Sequence, residues 1–584
     1  MKNPKFFAKS IALVLVQCML VTAFAGCGQS GKSSKDASST PTTGSTDKAK
    51  PLVKLSFYNY GTVWPKAGVQ DSPVFKEIEN KLGIQLDFVN HDDSKFNVML
   101  AGGDLPDIVS SISLSYEKQF IEGGNAIVLD SLLETNGKDI KKNAPSDIQY
   151  NKKYHSNGTG KLYFLNPQLF SNVVSTQKAP IDFLQTAGHY VRWDYYKELG
   201  YPDVKNDDDL LKVLAQMKAK HPTTTDGKPV YGVSGYNDGT LWAYTVPIFW
   251  GLGVRDVSNT LLVEDDKHSE DIALGPNQWF FKCMEYFFKA NQLGLLDPET
   301  FTQKVDNYKT KTQNLQLLEV SMRNYRQEGV FAQKGIDGGF EMIPGSSPNY
   351  LVSGGKDAAL GRTGKMNAIT KSCKYPDRAM DLLNYLYTPE GARTVLSGVK
   401  GVNWDIVNGK AEMTDDTIKL YNTDKDFQVK TGIGFFSNTV GLHGGLTNPT
   451  DNSYLDLLSY SPKVYQSRMT NMDKDYVAKY NATFPSEALY KEQDKGNMKL
   501  VVTGTMASGF MDQPNDDVKR VVAKEKDILN KAAPKLALAK DKAQFDAEKQ
   551  STIQQLKDAG MDSVVKFYDD AYKKAQGIRD EFMK

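Results

Sequence analysis

Cys27 is the residue whose setting most clearly invites chemistry. It directly follows Phe24-Ala25-Gly26, behind an apolar stretch from Ile11 to Phe24 that opens on Lys2, Lys5 and Lys9. A basic start, a short apolar core and small residues before a cysteine read as a signal peptide ending in a lipobox. Cleavage before Cys27 would leave its thiol on a new N-terminus, where diacylglycerol and a further palmitate-type chain can be attached; two or three chains hold a membrane far better than one. The alternative is an ordinary secretory leader with a stray cysteine. Gly28 to Lys50 contains no Val, Leu, Ile, Met or aromatic residue, so it cannot bury enough surface to fold and reads as a leash spanning roughly 25 to 30 Å. The same region spells a phosphate-binding pattern, Gly26 to Ser33. A phosphate loop needs a strand before it and a helix after it, and neither is here.

Other chemistries find little support. The six histidines, His91, His155, His189, His221, His268 and His443, are scattered without the i, i+4 spacing that pairs ligands on a helix. The stretch Pro222 to Pro229 offers one carboxylate, Asp226, too few for calcium. No metal and no cofactor are expected. GxSxG is absent, and Asp207-Asp208-Asp209 reads as a helix start, where carboxylates suit the dipole. No catalytic residue is therefore singled out, although sequence alone does not exclude the two carboxylates of a glycosidase. Cys283 lies in a helical apolar stripe with Phe280, Met284 and Phe287, and a disulfide to Cys373 stays open.

What the chain does have is aromatic residues, 29 Tyr and 6 Trp. Flat rings offer apolar faces for a ligand to stack on, and fixed polar groups orient it. Tyr60 and Trp64 follow the first strand. Tyr231 to Arg255 carries Tyr236, Trp242, Tyr244, Phe249 and Trp250 among glycines and the turn formers Asn237 and Asp238. It is read as an aromatic loop over a pocket, with Trp242 and Phe249 as core the alternative. The whole chain has 71 basic and 70 acidic residues, and loss of the three leader lysines leaves 68 against 70. That balance argues against nucleic acid and against a highly charged ligand.

The elements that must position these residues begin with a βαβ unit. Val53 to Asn59 alternates as a strand, Ser72-Pro73 starts a helix that Gly83 stops, and Ile84 to Val89 alternates again, which argues for a parallel sheet covered by helices. Ser111 and Ser113 then lie just past a strand beginning at Pro106, at a ligand-facing end, while Asp104 is expected to brace the preceding turn. Asp516 to Lys584 reads as helices, with Gly560 ending one and Asp562 capping the next.

The run Met99 to Val109, containing AGGDLPDIV behind that βαβ unit and the lipobox, resembles the extracellular solute-binding proteins of ATP-driven importers, in the sugar-binding branch. Val191 to Gly200 is similar to the strand and helix that open their second lobe. Gly339 to Gly345, Met366 to Ile369 and Tyr375 to Leu386 are similar to their return crossing, and Gly401 to Lys410 resembles a long Gram-positive lipoprotein subgroup associated with oligosaccharides. The resemblance implies a periplasmic-binding-protein-like α/β fold: two lobes, crossing hinge strands and a ligand cleft between them. It implies a signal peptide at 1–26, a linker at 27–51, lobe 1 at 52–165, lobe 2 at 166–365, a return to lobe 1 at 366–410 and a helical C-terminal part of lobe 2 at 411–584.

It further implies a membrane-anchored extracellular protein, working as a monomer, that hands an oligosaccharide to ABC permease subunits and does no chemistry itself. Candidate ligand contacts are Tyr60, Trp64, Ser111, Arg192, Trp242, Trp250, Tyr325 and Trp404, with Cys27 as the lipidation site. Tyr325 enters because the family carries an aromatic ahead of the Gly339 segment. Arg192 either forks onto the ligand or pairs with Asp194 or Glu198, and Trp404 either lines the pocket or packs at the crossing strands. A surface carbohydrate-active enzyme, glycosidase or lyase, is the rival reading; a purely structural surface protein is disfavoured by the lack of repeats.

Overall fold

The computed structural model describes residues 50–169, 187–257, 261–265, 268–352, 360, 364–502, 507–512 and 514–582. Cys27 and the leash lie outside these residues, as does the side chain of Trp250. The first sheet is built as its sequence dictates. Strands β1 (Val53–Asn59), β2 (Gly68–Val69), β3 (Ile84–Val89), β4 (Ile108–Ser113) and, much later, β12 (Lys365–Ile369) line up in the order β12-β4-β1-β3-β2. The central three are parallel, with Val53 opposite Ile84 and Phe57 opposite Ile108, while β12 and β2 run antiparallel. Helix α1 (Pro73–Leu82) starts at Pro73, whose fixed φ suits the first turn, and ends at Gly83, whose φ of 64° is left-handed. A Cβ at Gly83 would also press into the Lys50 carbonyl at 2.6 Å. Helix α2 (Asp93–Gly102) is capped by Asp92, whose carboxylate accepts from the Lys95 backbone N–H at 2.8 Å.

The turn before β4 is braced differently from the expectation. Asp104 is exposed. Asp107, three residues on, accepts from both the Ser56 backbone N–H (2.7 Å) and its hydroxyl (2.6 Å), so the brace ties β4 to β1.

A second group of strands opens with β5 (Ala187–Arg192). It is flanked antiparallel by β9 (Glu319–Met322) and β10 (Phe340–Met342). A small antiparallel sheet, β6 (Arg255–Val257), β7 (Leu262–Glu264) and β8 (Ser269–Asp271), a parallel pair of β11 (Asn349–Val352) with β15 (Lys499–Val502), and a hairpin of β13 (Trp404–Val407) with β14 (Lys410–Met413) complete the strands. Around β5 a large core gathers Trp193, Leu214, Phe280, Phe287, Leu529, Leu536 and Val564. Burying each such side chain stabilises by roughly 1.5 to 3 kcal/mol before entropy is counted. The C-terminal helices Asp516–Ala537, Lys542–Asp558 and Met561–Phe582 therefore close this second core. Gly560 separates the last two, as its sequence context suggests, but Asp562 sits inside the first turn of the final helix and not at its cap. The end of that helix reaches the first lobe, where Phe582 packs edge-on against Tyr150 at 5.5 Å and Glu581 pairs with Lys153.

Two expectations are corrected by the packing. The boundary at 410/411 does not separate the lobes: Met413, Ile418, Phe427, Phe435, Phe436 and Val464 share one buried cluster with Leu55, Phe57 and Phe88 of the first sheet. The reason is aromatic. Phe435 and Phe436 both pack against Phe75 and Phe88, and the chain stays in the first lobe until those faces are covered. Within the expected aromatic loop, residues Trp242–Gly251 form an α-helix. That helix is apolar nearly all round and packs against β5, so it lacks the amphipathic period by which a surface helix is recognised.

Candidate functional site

The carboxyl ends of β1 and β4 meet β12 in a polar knot. Ser110 Oγ donates to Asn367 Oδ1 (2.7 Å) and lies 2.9 Å from Thr439 Oγ1, to which Asn59 Nδ2 donates at 3.3 Å. Val109 pairs with Ala368 and Ile112 with Met366, so two β4 residues, Ser110 and Ser111, face the single Asn367. This bulge puts Ser111 at a φ of 56°, an uncommon conformation for a residue with a Cβ, of the kind found where a side chain is re-aimed beside a binding site. Ser111 Oγ donates to the Asn438 carbonyl at 3.3 Å. Ser113 turns back locally, accepting from the Ser115 backbone N–H.

Tyr60 stands beside this knot, its backbone N–H on the Ser110 carbonyl at 2.9 Å. Its ring is half-buried, edge-on to His91 (4.7 Å) and Phe96 (5.1 Å), and its hydroxyl is 3.3 Å from that of Tyr116. The hydrogen bond with Tyr116, more than burial, holds the Tyr60 phenol well above its ordinary value. His91 is oriented by its neighbours: the Asp93 carboxylate can only accept, so Nε2–H donates to it (3.1 Å) and Nδ1 accepts from the Tyr58 hydroxyl (2.5 Å). Burial pushes the Tyr58 phenol up to about 12. Lys365 Nζ lies 5.8 Å from the Tyr60 ring centre. Rings, hydroxyls, an imidazole and an ammonium thus share one strand-end surface.

A segment from Ser437 to Leu446 lies where the two lobes adjoin. It runs beside the first crossing segment, with Gln168 and Leu169 N–H groups on the Val440 and Gly441 carbonyls, both at 2.7 Å, and His443 N–H on the Leu169 carbonyl at 2.8 Å. A Cβ at Gly441 would run into the Tyr387 ring. Leu446 packs against both the first-lobe core and an aromatic cluster of the second lobe. That cluster contains Tyr190, Tyr236, Tyr308, Tyr325 and Tyr350, with Trp242 half-buried at its margin. Tyr325 donates to Tyr236 (3.4 Å) and stands edge-on to Tyr308 at 5.0 Å; burial raises the Tyr236 phenol further than that contact does.

The sequence-derived candidates therefore divide. Tyr60 and Ser111 come together at the first-lobe strand ends, and Tyr325 and Trp242 share the second-lobe cluster. Trp64 is 5% exposed and sandwiched between Phe88 (4.4 Å) and Phe435 (5.6 Å). Arg192 is 2% exposed and forks onto Asp194, with Nε to Oδ1 at 2.9 Å and its Cζ 3.9 Å from the Tyr195 ring centre. Trp404 donates through Nε1 to the Gly398 carbonyl at 2.8 Å and lies against Arg393, packing on the first-lobe core. Sequence reasoning missed Tyr116, His91, Asn367 and Thr439. The strand-end logic that found Tyr60 applies equally to Tyr116, which follows β4 by three residues.

Cys283 and Cys373 are both free. Burial pushes the Cys283 thiol far up, so it is a packed group and not a nucleophile. The Asp226 carboxylate takes the Thr224 hydroxyl and the Lys228 ammonium, which hold it down at about 2. Among the described residues, no three His, Cys, Asp or Glu side chains gather as a metal site, and no helix is long and apolar enough to cross a membrane.

Two α/β lobes, each with its own sheet and buried core, define a periplasmic-binding-protein-like architecture. The chain belongs to the bacterial extracellular solute-binding protein family, whose sequence model matches residues 61–393, more than half of its length. It is 23% identical over 318 residues to the fructooligosaccharide ABC transporter substrate-binding protein FusA of Streptococcus pneumoniae, covering 53% of this chain and 56% of that protein. The alignment thus spans just over half of the relative's length. In fold it is similar to an HMO binding ABC-transporter associated solute-binding protein from Bifidobacterium longum infantis (TM-score 0.57, 12% identity, 90% of this chain and 99% of that one). It is also similar to an EF-hand mutant of the Streptococcus pneumoniae FusA in complex with fructo-nystose (TM-score 0.55, 14% identity, 90% and 100%).

Proposed function

We propose that this protein captures an oligosaccharide in the cleft between its lobes and delivers it to an ABC permease, tethered to the outer face of the cell membrane through acylated Cys27. The observation that carries the reading is the strand-end surface of the first lobe, where half-buried Tyr60 and Tyr116 carry rings and hydroxyls held in place over the buried polar knot of Ser110, Asn367 and Thr439. Sugars need that combination of flat apolar and fixed polar groups. The family and the substrate-binding descriptions of its relatives support it. Trp242, at the margin of the second-lobe cluster, supplies the opposing wall, and closure about the crossing segments traps the ligand.

Titration calorimetry against fructo-, xylo- and manno-oligosaccharides tests the reading. Saturable binding with no product released on long incubation is the expected result. Release of shortened sugars would make the protein an enzyme, and binding of none of them would remove the carbohydrate assignment. For the anchor, wild type expressed with its own leader in a Gram-positive host should partition with membranes into detergent. Cys27→Ala should be shed to the medium, and equal partitioning would sink the tether.

A further inference from the structure

Tyr116 has a second face. On the flank of the first lobe, α2, the short helix α3 (Glu117–Ile121) and the turn after β12 enclose a groove of about 790 Å3, and Tyr116 forms its upper end. The volume lies within the range of small-molecule clefts, roughly 300 to 1,000 Å3. Its lining mixes small and apolar residues with polar ones, Asn97, Gln119 and Asn125 contributing three side-chain amides and Lys118, Glu122 and Lys371 two ammonium groups and a carboxylate. Gln119, oriented so that Nε2 donates to the Ser115 and Tyr116 carbonyls (3.3 and 3.2 Å), keeps its oxygen as an acceptor. Asn125, 4% exposed, donates to the Leu100 and Gln119 carbonyls (3.2 and 3.0 Å), while its Oδ1 has no partner among the described residues. Lys371 Nζ lies over Gly103, where a Cβ would meet it at 2.6 Å, and Gly102 leaves the neighbouring wall open.

We propose that this groove is a second carbohydrate subsite, continuous with the cleft past Tyr116, holding the units of a long oligosaccharide that protrude from between the lobes. The inference rests on the oligosaccharide reading of the cleft. Amides, two ammonium groups and a carboxylate arranged around open backbone suit ring hydroxyls, and Tyr116 touches both sites, so a chain stacked on Tyr60 leaves the cleft at the mouth of the groove. A folded protein partner would want a broad apolar wall, which this lining does not offer.

The test separates the two sites by ligand length. Calorimetry uses the same three glycan ladders, from disaccharide to decasaccharide. Wild type should gain roughly tenfold in affinity from the short to the long members of the ladder it binds. Gly102→Trp puts an indole at the groove wall from a position where a Cβ meets nothing within 4 Å. That variant, and Gln119→Ala, should abolish the gain while leaving the short ligands within about twofold of wild type. A gain that survives Gly102→Trp would overturn the subsite and leave the cleft reading intact. So would unchanged binding of every length together with lost uptake in cells, which would give the groove to the transporter. Binding of no ladder by wild type would overturn both.

Discussion

At the strand ends of the first lobe, Tyr60 and Tyr116 stay half-buried and are held by their edges and hydroxyls, whereas in the second lobe Tyr236, Tyr308 and Tyr325 enclose one another almost completely. Behind the first pair lies a neutral polar knot of Asn59, Ser110, Asn367 and Thr439. Behind the second cluster lie buried charges: Arg326 pairs with Glu341 at 2.6 Å, and His189 sits between Glu319 and Asp207. One lobe presents aromatic faces on a polar backing, and the other uses aromatic faces as its own core. Density of aromatic residues in a sequence therefore does not locate a binding wall; what locates one is a ring at a strand end that its neighbours leave partly uncovered.

The largest effect expected from this contrast is on stability. Trp64 follows the same strand as Tyr60 but belongs to the core, so Trp64→Ala should lower the unfolding free energy by about 3 to 5 kcal/mol in urea titration. Ligand affinity measured on the folded fraction should stay within a few-fold. A variant of undiminished stability that no longer binds would move Trp64 from scaffold to wall.

The second lobe should carry a pH dependence of its own. Burial works against charge on His189, but the Glu319 carboxylate at 2.7 Å and Asp207 at 3.8 Å outweigh it and hold the imidazole up at about 9. The folded value exceeds the unfolded one of about 6.5, so the stabilisation is fully present below about 6.5 and is lost as pH rises through about 9. By linkage that amounts to about 3 kcal/mol at most. Urea titrations at the two ends of this window should show wild type losing stability and His189→Gln losing much less; parallel losses would place the titration elsewhere.

Much of the first lobe could be read directly. The β1–α1–β3 unit lies where alternation, Pro73 and Gly83 put it, because a period of two and two strong punctuating residues all agree. The helix Trp242–Gly251 and the return of 411–464 to the first lobe could not be read that way. Both depend on long-range burial: a fully apolar helix carries no period, and nothing local says that Phe435 and Phe436 belong against Phe75 and Phe88. The candidate site was legible only where strand-end logic applied, at Tyr60 and Ser111. Arg192 was open between two readings because a guanidinium two residues from Asp194 can fork inward or outward, and burial at 2% exposure turns it inward.

On binding, the contrast is expected to be sharp. Tyr60→Ala and Tyr116→Ala should each weaken the oligosaccharide by about 1 to 3 kcal/mol, a factor of roughly 5 to 150, in calorimetry of proteins whose circular dichroism is unchanged. Trp242→Ala should fall in the same range if its margin position forms the opposing wall. Full affinity in both tyrosine variants would mean that the ligand lies elsewhere in the cleft.

The smallest effect is the one that separates scaffold from wall most finely. Tyr325→Phe removes one hydroxyl from a 3.4 Å contact with Tyr236 and leaves the edge-on packing against Tyr308 in place. A long hydrogen bond between two buried neutral phenols contributes about 1 kcal/mol or less, and the Tyr236 hydroxyl it leaves behind is the main source of any loss. Stability should therefore drop by about that amount, with oligosaccharide affinity unchanged. An affinity loss of roughly fivefold or more with unchanged stability would instead mean that the Tyr325 hydroxyl meets the sugar, and the second lobe would then present its tyrosines as the first lobe does.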